Sequence, residues 1–149
     1  MAASLGKKAA LGFGLALVAI QLIPYGRDHV NPPVTKEPQW NAPSTRAIAR
    51  RACFDCHSNE TTWPWYSSIA PASWFVQDDV EQGRSKVNFS EWDHPQPKAK
   101  DLVDMVTHDY MPPPSYRWLH SASHLTQPER DELARGLEAI LATSPKSAE

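Results

Sequence analysis

From Ala9 to Gly26 no charged side chain interrupts a stretch that contains Leu11, Phe13, Leu15, Leu17, Val18, Ile20, Leu22 and Ile23. No polar face recurs in it at helical spacing, so the pattern predicts a helix that is apolar all round. Its 18 residues stand near the lower limit for a membrane span. Lys7 and Lys8 precede it, which keeps that end on the cytoplasmic side and sends the rest of the chain across the bilayer. A cleaved signal peptide would have an apolar region about as short, but Gln21-Leu22-Ile23-Pro24 offers no small-x-small cleavage site. Residues 1–26 are therefore read as an uncleaved, single-pass transmembrane helix, with a signal peptide as the alternative.

Between Pro24 and Pro43 the periodicity disappears. Pro24, Pro32, Pro33, Pro38 and Pro43 punctuate these 20 residues, which read as a semi-rigid spacer reaching up to ~60 Å unless Trp40 packs back on the domain, with residues 27–43 as the linker proper. A domain over residues 44–142 follows. Ser44 is a candidate N-cap for a short helix through Ile48 to Ala52. A second helix is predicted from Pro71, burying Phe75, Val76 and Val80 and stopping at Gly83. A third runs from Pro97 to His108 with Leu102, Met105 and Val106 on one face. The last has the clearest signature: Thr126-Gln127-Pro128-Glu129 is a capping box, and Leu133, Leu137, Ile140 and Leu141 recur at i, i+4, i+7 and i+8. No stretch alternates as a strand would, and residues 143–149 read as a disordered tail. The fold class is all-α.

Composition sharpens this picture in three places. Fourteen prolines forbid long uninterrupted helices, so the helices should be short. Six tryptophans call for a large flat apolar surface to pack against. A formal charge of −2 gives no footprint for nucleic acid, so no such partner is expected.

The two cysteines build no disulfide framework, yet they fall in Cys53-Phe54-Asp55-Cys56-His57. This is C-x-x-C-H, the attachment signature for haem c. Two thiols three positions apart can each add to one vinyl group of a haem, and the adjoining imidazole then reaches the iron on one face. A thioredoxin-like dithiol would need strands around it, and a zinc site would need a second Cys/His pair; the sequence offers neither. One covalently bound haem c would also supply the apolar centre that a small helical domain lacks.

For the second iron ligand, Met105 sits in an apolar stripe and reads as packing, whereas Met111 stands outside any helix in Tyr110-Met111-Pro112-Pro113-Pro114. A proline-stiffened loop can hold a thioether against a haem face, which raises the reduction potential. His94, His108, His120 and His124 are competitors that would give a lower potential. The ring of His57 should donate its second nitrogen to a carbonyl, with 63–65 and 69–71 as the expected sources. Arg84 or Trp74 is a candidate for a haem propionate, and Trp63, Trp65, Tyr66, Trp74 and Trp92 for the haem wall.

These residues resemble bacterial haem-binding domain proteins with a single C-x-x-C-H site. The likeness runs from Cys53 to Tyr66, through Ile69-Ala70-Pro71-Ala72-Ser73-Trp74, Asp79 to Arg84 and Asn88-Phe89-Ser90-Glu91-Trp92, to Met111-Pro112-Pro113 ahead of Tyr116, His120 and Leu125. The resemblance implies a variant of the class I cytochrome c fold, a bundle of short helices around one haem, with His57 and Met111 on the iron. The expected function is single-electron transfer without enzymatic turnover, by a domain held in the periplasm at the bacterial inner membrane beside redox proteins. A haem-based sensor or peroxidase-like protein with an open sixth position is the alternative, and an assembly subunit of a respiratory complex a third.

Overall fold

The computed structural model describes residues 2–96 and 101–143. Among them are seven α-helices and two short 3₁₀ turns, and the β-structure is one isolated bridge between Lys36 and Glu91. The chain is all-α, as the patterning requires. The described residues group into two units, one from the chain before Asn31 together with Trp63–Asp79, the other from Asn31–Thr62 and the chain from Val80 onward.

In the first unit, α1 (Ala2–Ile20) is followed by a turn. The Gln21 amide takes over there: it donates to the Ala70 carbonyl at 2.8 Å and accepts from the Ala70 N–H at 3.0 Å. Pro24 and the left-handed Gly26 (φ 77°) then turn the chain so that Gly26 lies against the Ser73 carbonyl. The expectation of a membrane-spanning helix through residue 26 is corrected by this early stop. Ala9 to Ile20 is about 18 Å of helix, short of the ~30 Å of a bilayer core, and among the described residues no helix is long and apolar enough to cross a membrane. The side chains of Leu11, Phe13, Leu15 and Val18 are nevertheless exposed.

A 3₁₀ turn (Trp65–Ser68) and the start of α4 (Ala72–Lys86) complete this unit. His29 stacks on Trp63 with centroids 4.8 Å apart, and its Nε2 lies 3.1 Å from the Ser67 carbonyl. Phe75, expected in the core, is 69% exposed on α4; of the three residues assigned to that face only Val80 is buried. Helix α4 also runs past Gly83 to Lys86, because Gly83 has a packing role rather than a terminating one.

The second unit holds the main core. Helix α2 (Pro43–Ala52) starts with proline at its first position, where no N–H is missed, and Ala42 rather than Ser44 is its N-cap. Helix α3 is a single turn, Phe54–His57. Helices α5 (Leu102–Thr107), α6 (Pro114–Leu119) and α7 (Gln127–Leu141) follow. The predicted start of the third helix at Pro97, and most of the 143–149 tail, lie outside the described residues.

Helix α7 is capped as its sequence dictates. Thr126 and Glu129 satisfy each other's backbone N–H, and Leu133, Leu137 and Ile140 are buried. They pack with Ile48, Ala49, Phe54, Val87, Phe89, Trp92 and Val106, with Trp40, Leu102 and Leu125 at the margin. At Gly136 a Cβ would overlap the Thr45 side chain, so this glycine sets how closely α7 approaches α2. Met105, read as part of the apolar stripe, is on the exposed side of α5.

Residues 31–43, read from their prolines as a spacer, run along this unit. The amides of Thr35 and Lys36 donate to the Ser90 carbonyl, Trp92 donates to Lys36 O at 2.9 Å, and Asn59 donates to Pro33 O at 3.0 Å. Trp40 completes the attachment, packing against Phe89 and Phe54.

Candidate functional site

The C-x-x-C-H segment is built at the junction of α2 and α3. Helix α2 ends because Cys53 leaves helical geometry (φ −126°), and its carbonyl then accepts from the N–H groups of Cys56 (3.2 Å) and His57 (2.9 Å). That tight turn carries Cys53, Cys56 and His57 together. Phe54, 2% exposed, nails the turn into the core by stacking on Phe89 at 5.6 Å. Ser58 stops α3 in an extended conformation, and its hydroxyl donates back to the Phe54 carbonyl at 2.8 Å.

His57 is held from both of its polar ends. Its carbonyl accepts from the Phe89 N–H at 2.8 Å. Its Nδ1 donates to the carbonyls of Gly83 (3.0 Å) and Val87 (3.1 Å). The carbonyl partners are thus at the C-terminal end of α4, not in the 63–65 or 69–71 segments expected from sequence. A donor at Nδ1 fixes the tautomer and leaves Nε2 as the ring's lone-pair nitrogen. Burial lowers the proton affinity of the ring, the two carbonyls oppose that in part, and the charge of Lys86 adds to the lowering. The ring is therefore neutral near pH 7, the form that binds a metal.

Gly83 makes this geometry possible. A Cβ at position 83 would collide with the carbonyl of Cys56, so only glycine lets α4 press onto the turn closely enough for its carbonyl to reach Nδ1. Cys53 keeps some exposure yet is surrounded on enough sides that desolvation, reinforced by the neighbouring Cys56, pushes its thiol up to about 12.

Arg84, adjacent to Gly83, donates to Ser58 O (2.8 Å), Asn31 Oδ1 (3.0 Å) and Thr61 Oγ1 (3.0 Å). These bonds tie the chain leaving His57 to α4. Asp55 is fastened on the other side: its Oδ1 accepts from the Thr62 N–H and its Oδ2 from the Tyr116 hydroxyl.

Met111 follows α5, with its N–H on the Met105 carbonyl at 3.0 Å. Asp109, two residues earlier, adopts the left-handed conformation (φ 59°). Its carboxylate accepts from Arg117 at 2.8 and 3.0 Å and from Arg130 at 2.5 Å. In the chain that follows α5, apolar side chains are uncovered: Tyr110, Leu119 and, at 91% exposure, Trp118. Helix α6 buries none of its residues. Its existence was missed from sequence, although Pro114 at its first position and Pro113 ahead of it are a start signal.

The structure thus brings Cys53, Cys56, His57 and Arg84 together, and joins the Met111 segment to them through Tyr116. Trp63 and Trp74 belong to the other unit, where the buried indole N–H of Trp74 has no hydrogen-bond partner among the described residues. Of the competing histidines, His94 pairs with Glu91, His108 with the Asp104 carbonyl, His120 with the Tyr116 carbonyl and His124 with the Arg117 carbonyl. Two thiols and a neutral imidazole with Nε2 unclaimed by the Nδ1 bonds, on one half-buried turn, suit a haem. So do the uncovered apolar residues of α6, which a planar apolar group could cover. Trp65 and Tyr66 meet edge to face in the first unit, while Trp92 is buried in the core of the second.

Compared with known proteins, residues 15–139 match the family model described as a haem-binding domain. No curated protein and no solved structure matches.

Proposed function

The chain belongs to the haem-binding domain family, and from that premise we propose that it is a c-type cytochrome: Cys53 and Cys56 hold one haem covalently, His57 and Met111 bind its iron, and the protein carries single electrons outside the cytoplasm. The observation that carries this reading is the Nδ1 of His57 shared between the Gly83 and Val87 carbonyls. That arrangement orients the imidazole, raises the donor strength of Nε2 and prevents the ring from turning away when iron changes charge. The haem, when bound, supplies a one-electron iron couple whose potential rises with a thioether ligand.

The chain's own residues do the rest. Phe54 and Gly83 lock the attachment turn, and the Asp109 carboxylate between two arginines fixes the segment that presents Met111. With Met111 as the second ligand a bound iron would be closed to substrate, so in this reading the protein acts as a carrier and not as an enzyme. Export fits covalent haem attachment. The exposed apolar residues of α1 keep the carrier at a membrane in this reading, close to redox partners and at high effective concentration.

The test is protein made in a host competent for cytochrome c maturation. Its mass should exceed the polypeptide by one haem, and Cys53→Ala with Cys56→Ala should lose covalent pigment. The reduced form should bind carbon monoxide slowly or not at all. Rapid tight binding would replace the carrier with a sensor or peroxidase-like protein, and a mass equal to the bare polypeptide would remove the proposal.

A further inference from the structure

Met111 lies between two fixed points. Upstream, Asp109 is pinned by Arg117 and Arg130. Downstream, Tyr116 donates its hydroxyl to Asp55 Oδ2 at 2.6 Å, across 61 positions of sequence. Asp55 stands between the two cysteines, and its other oxygen is occupied by the Thr62 N–H at 2.9 Å. The carboxylate therefore joins the attachment turn to α6.

The Tyr116 ring is held for this contact. It stacks on His120 with centroids 3.9 Å apart and planes 10° from parallel, and His120 Nδ1 lies 2.9 Å from the Tyr116 carbonyl. The five residue steps from Met111 to Tyr116 span at most ~18 Å, and Pro112, Pro113 and Pro114 stiffen the path between them. Holding one hydroxyl on Asp55 thus confines Met111 to the neighbourhood of the turn.

We propose that Tyr116 is a positioning residue: its hydrogen bond to Asp55 latches the Met111 segment onto the attachment turn and keeps the sulfur at the iron, with His120 as the support of the tyrosine ring and not an iron ligand. This rests on the reading of Met111 as the second ligand. A tyrosine kept only for packing would be replaceable by phenylalanine without consequence for the iron, since the stack on His120 would remain.

The experiment uses the haem-loaded protein as wild type, Met111→Ala, Tyr116→Phe, Asp55→Ala and the Tyr116/Asp55 double variant. In the oxidised wild type a near-infrared iron–thioether band should be present, and Met111→Ala should abolish it. Tyr116→Phe and Asp55→Ala should each weaken the band and lower the reduction potential to a similar degree, and the double variant should be no worse than either. Independently of the ligand, the Met111 amide should exchange with deuterium about tenfold faster in Tyr116→Phe. If the wild type lacks the band, or Met111→Ala keeps it, the ligand reading fails and amide exchange alone decides the latch. Exchange in Tyr116→Phe equal to wild type overturns the latch in every case, as does an undiminished band with an unchanged potential. Should Asp55→Ala fail to mature, Tyr116→Phe, which removes a single oxygen, carries the test.

Discussion

A neutral imidazole has one nitrogen to offer a metal, and the partner of the other nitrogen decides which one it is. At His57 that decision is made by two main-chain carbonyls, which cannot be mutated directly but can be moved. Gly83 is the lever. An alanine there would place its Cβ against the Cys56 carbonyl, and neither backbone can yield without separating α4 from the attachment turn. Gly83→Ala should cost about 1–3 kcal/mol of stability, as overpacking of a close contact does, and should shift the haem absorption as the His57 bonds lengthen. Thermal unfolding of the haem-loaded protein measures the first, and an unchanged midpoint would contradict the packing argument. Gly83 also shows how a residue can mislead when read alone. Near the end of a polar-apolar pattern a glycine signals a helix stop, but here the helix continues because the missing side chain is needed for a neighbour distant in sequence.

Short helices depend on their connections more than on their own propensities. Helices α5 and α6 have six residues each, and the segment between them is held by Asp109. Hydrogen bonding from Arg117, then from Arg130, holds this carboxyl below its ordinary range. A carboxylate whose folded pKa is depressed gives stability that is complete above the unfolded value near 3.8 and is lost as pH falls through the folded value. Acid unfolding should therefore lose one contribution in Asp109→Asn, a replacement that tolerates the left-handed backbone. Wild type and variant should converge in stability as pH falls through the depressed folded pKa and differ most above the unfolded value near 3.8. Parallel curves down to the acid limit would show that the carboxylate does not stabilise this connection. Helix α7 needs no such outside help, since its capping box and its i, i+4, i+7 stripe are local.

At the scale of the whole molecule, α1 raises a question of attachment. Leu11, Phe13, Leu15 and Val18 are exposed on it among the described residues. If they meet lipid, replacing Phe13, Leu15 and Val18 by serine should move the protein from the membrane fraction to the soluble fraction while haem content per chain stays the same. Retention in the membrane fraction would assign attachment to another surface. The buried ends of the chain's contacts also divide by distance. The turn at Cys53–His57, the α7 cap and the absence of strand patterning are written within a few neighbouring residues, and all of these were legible. The carbonyl partners of His57 lie 26 and 30 positions away, and the partner of Asp55 lies 61 away. No periodicity encodes such pairs.

The amino-acid sequence by itself determined the chemistry on offer, two thiols and an imidazole at C-x-x-C-H spacing, together with an all-helical build. Those properties follow from side-chain identity and short-range backbone preference, which act without knowledge of the rest of the fold. Only the tertiary structure decided that α4 runs through Gly83, that residues 31–43 lie along the core, that α1 ends at Ile20, and which nitrogen of His57 is free for a metal. Each of these is settled by where a hydrogen-bonding group or a missing Cβ meets a partner brought near by folding, and such meetings are properties of the packed chain.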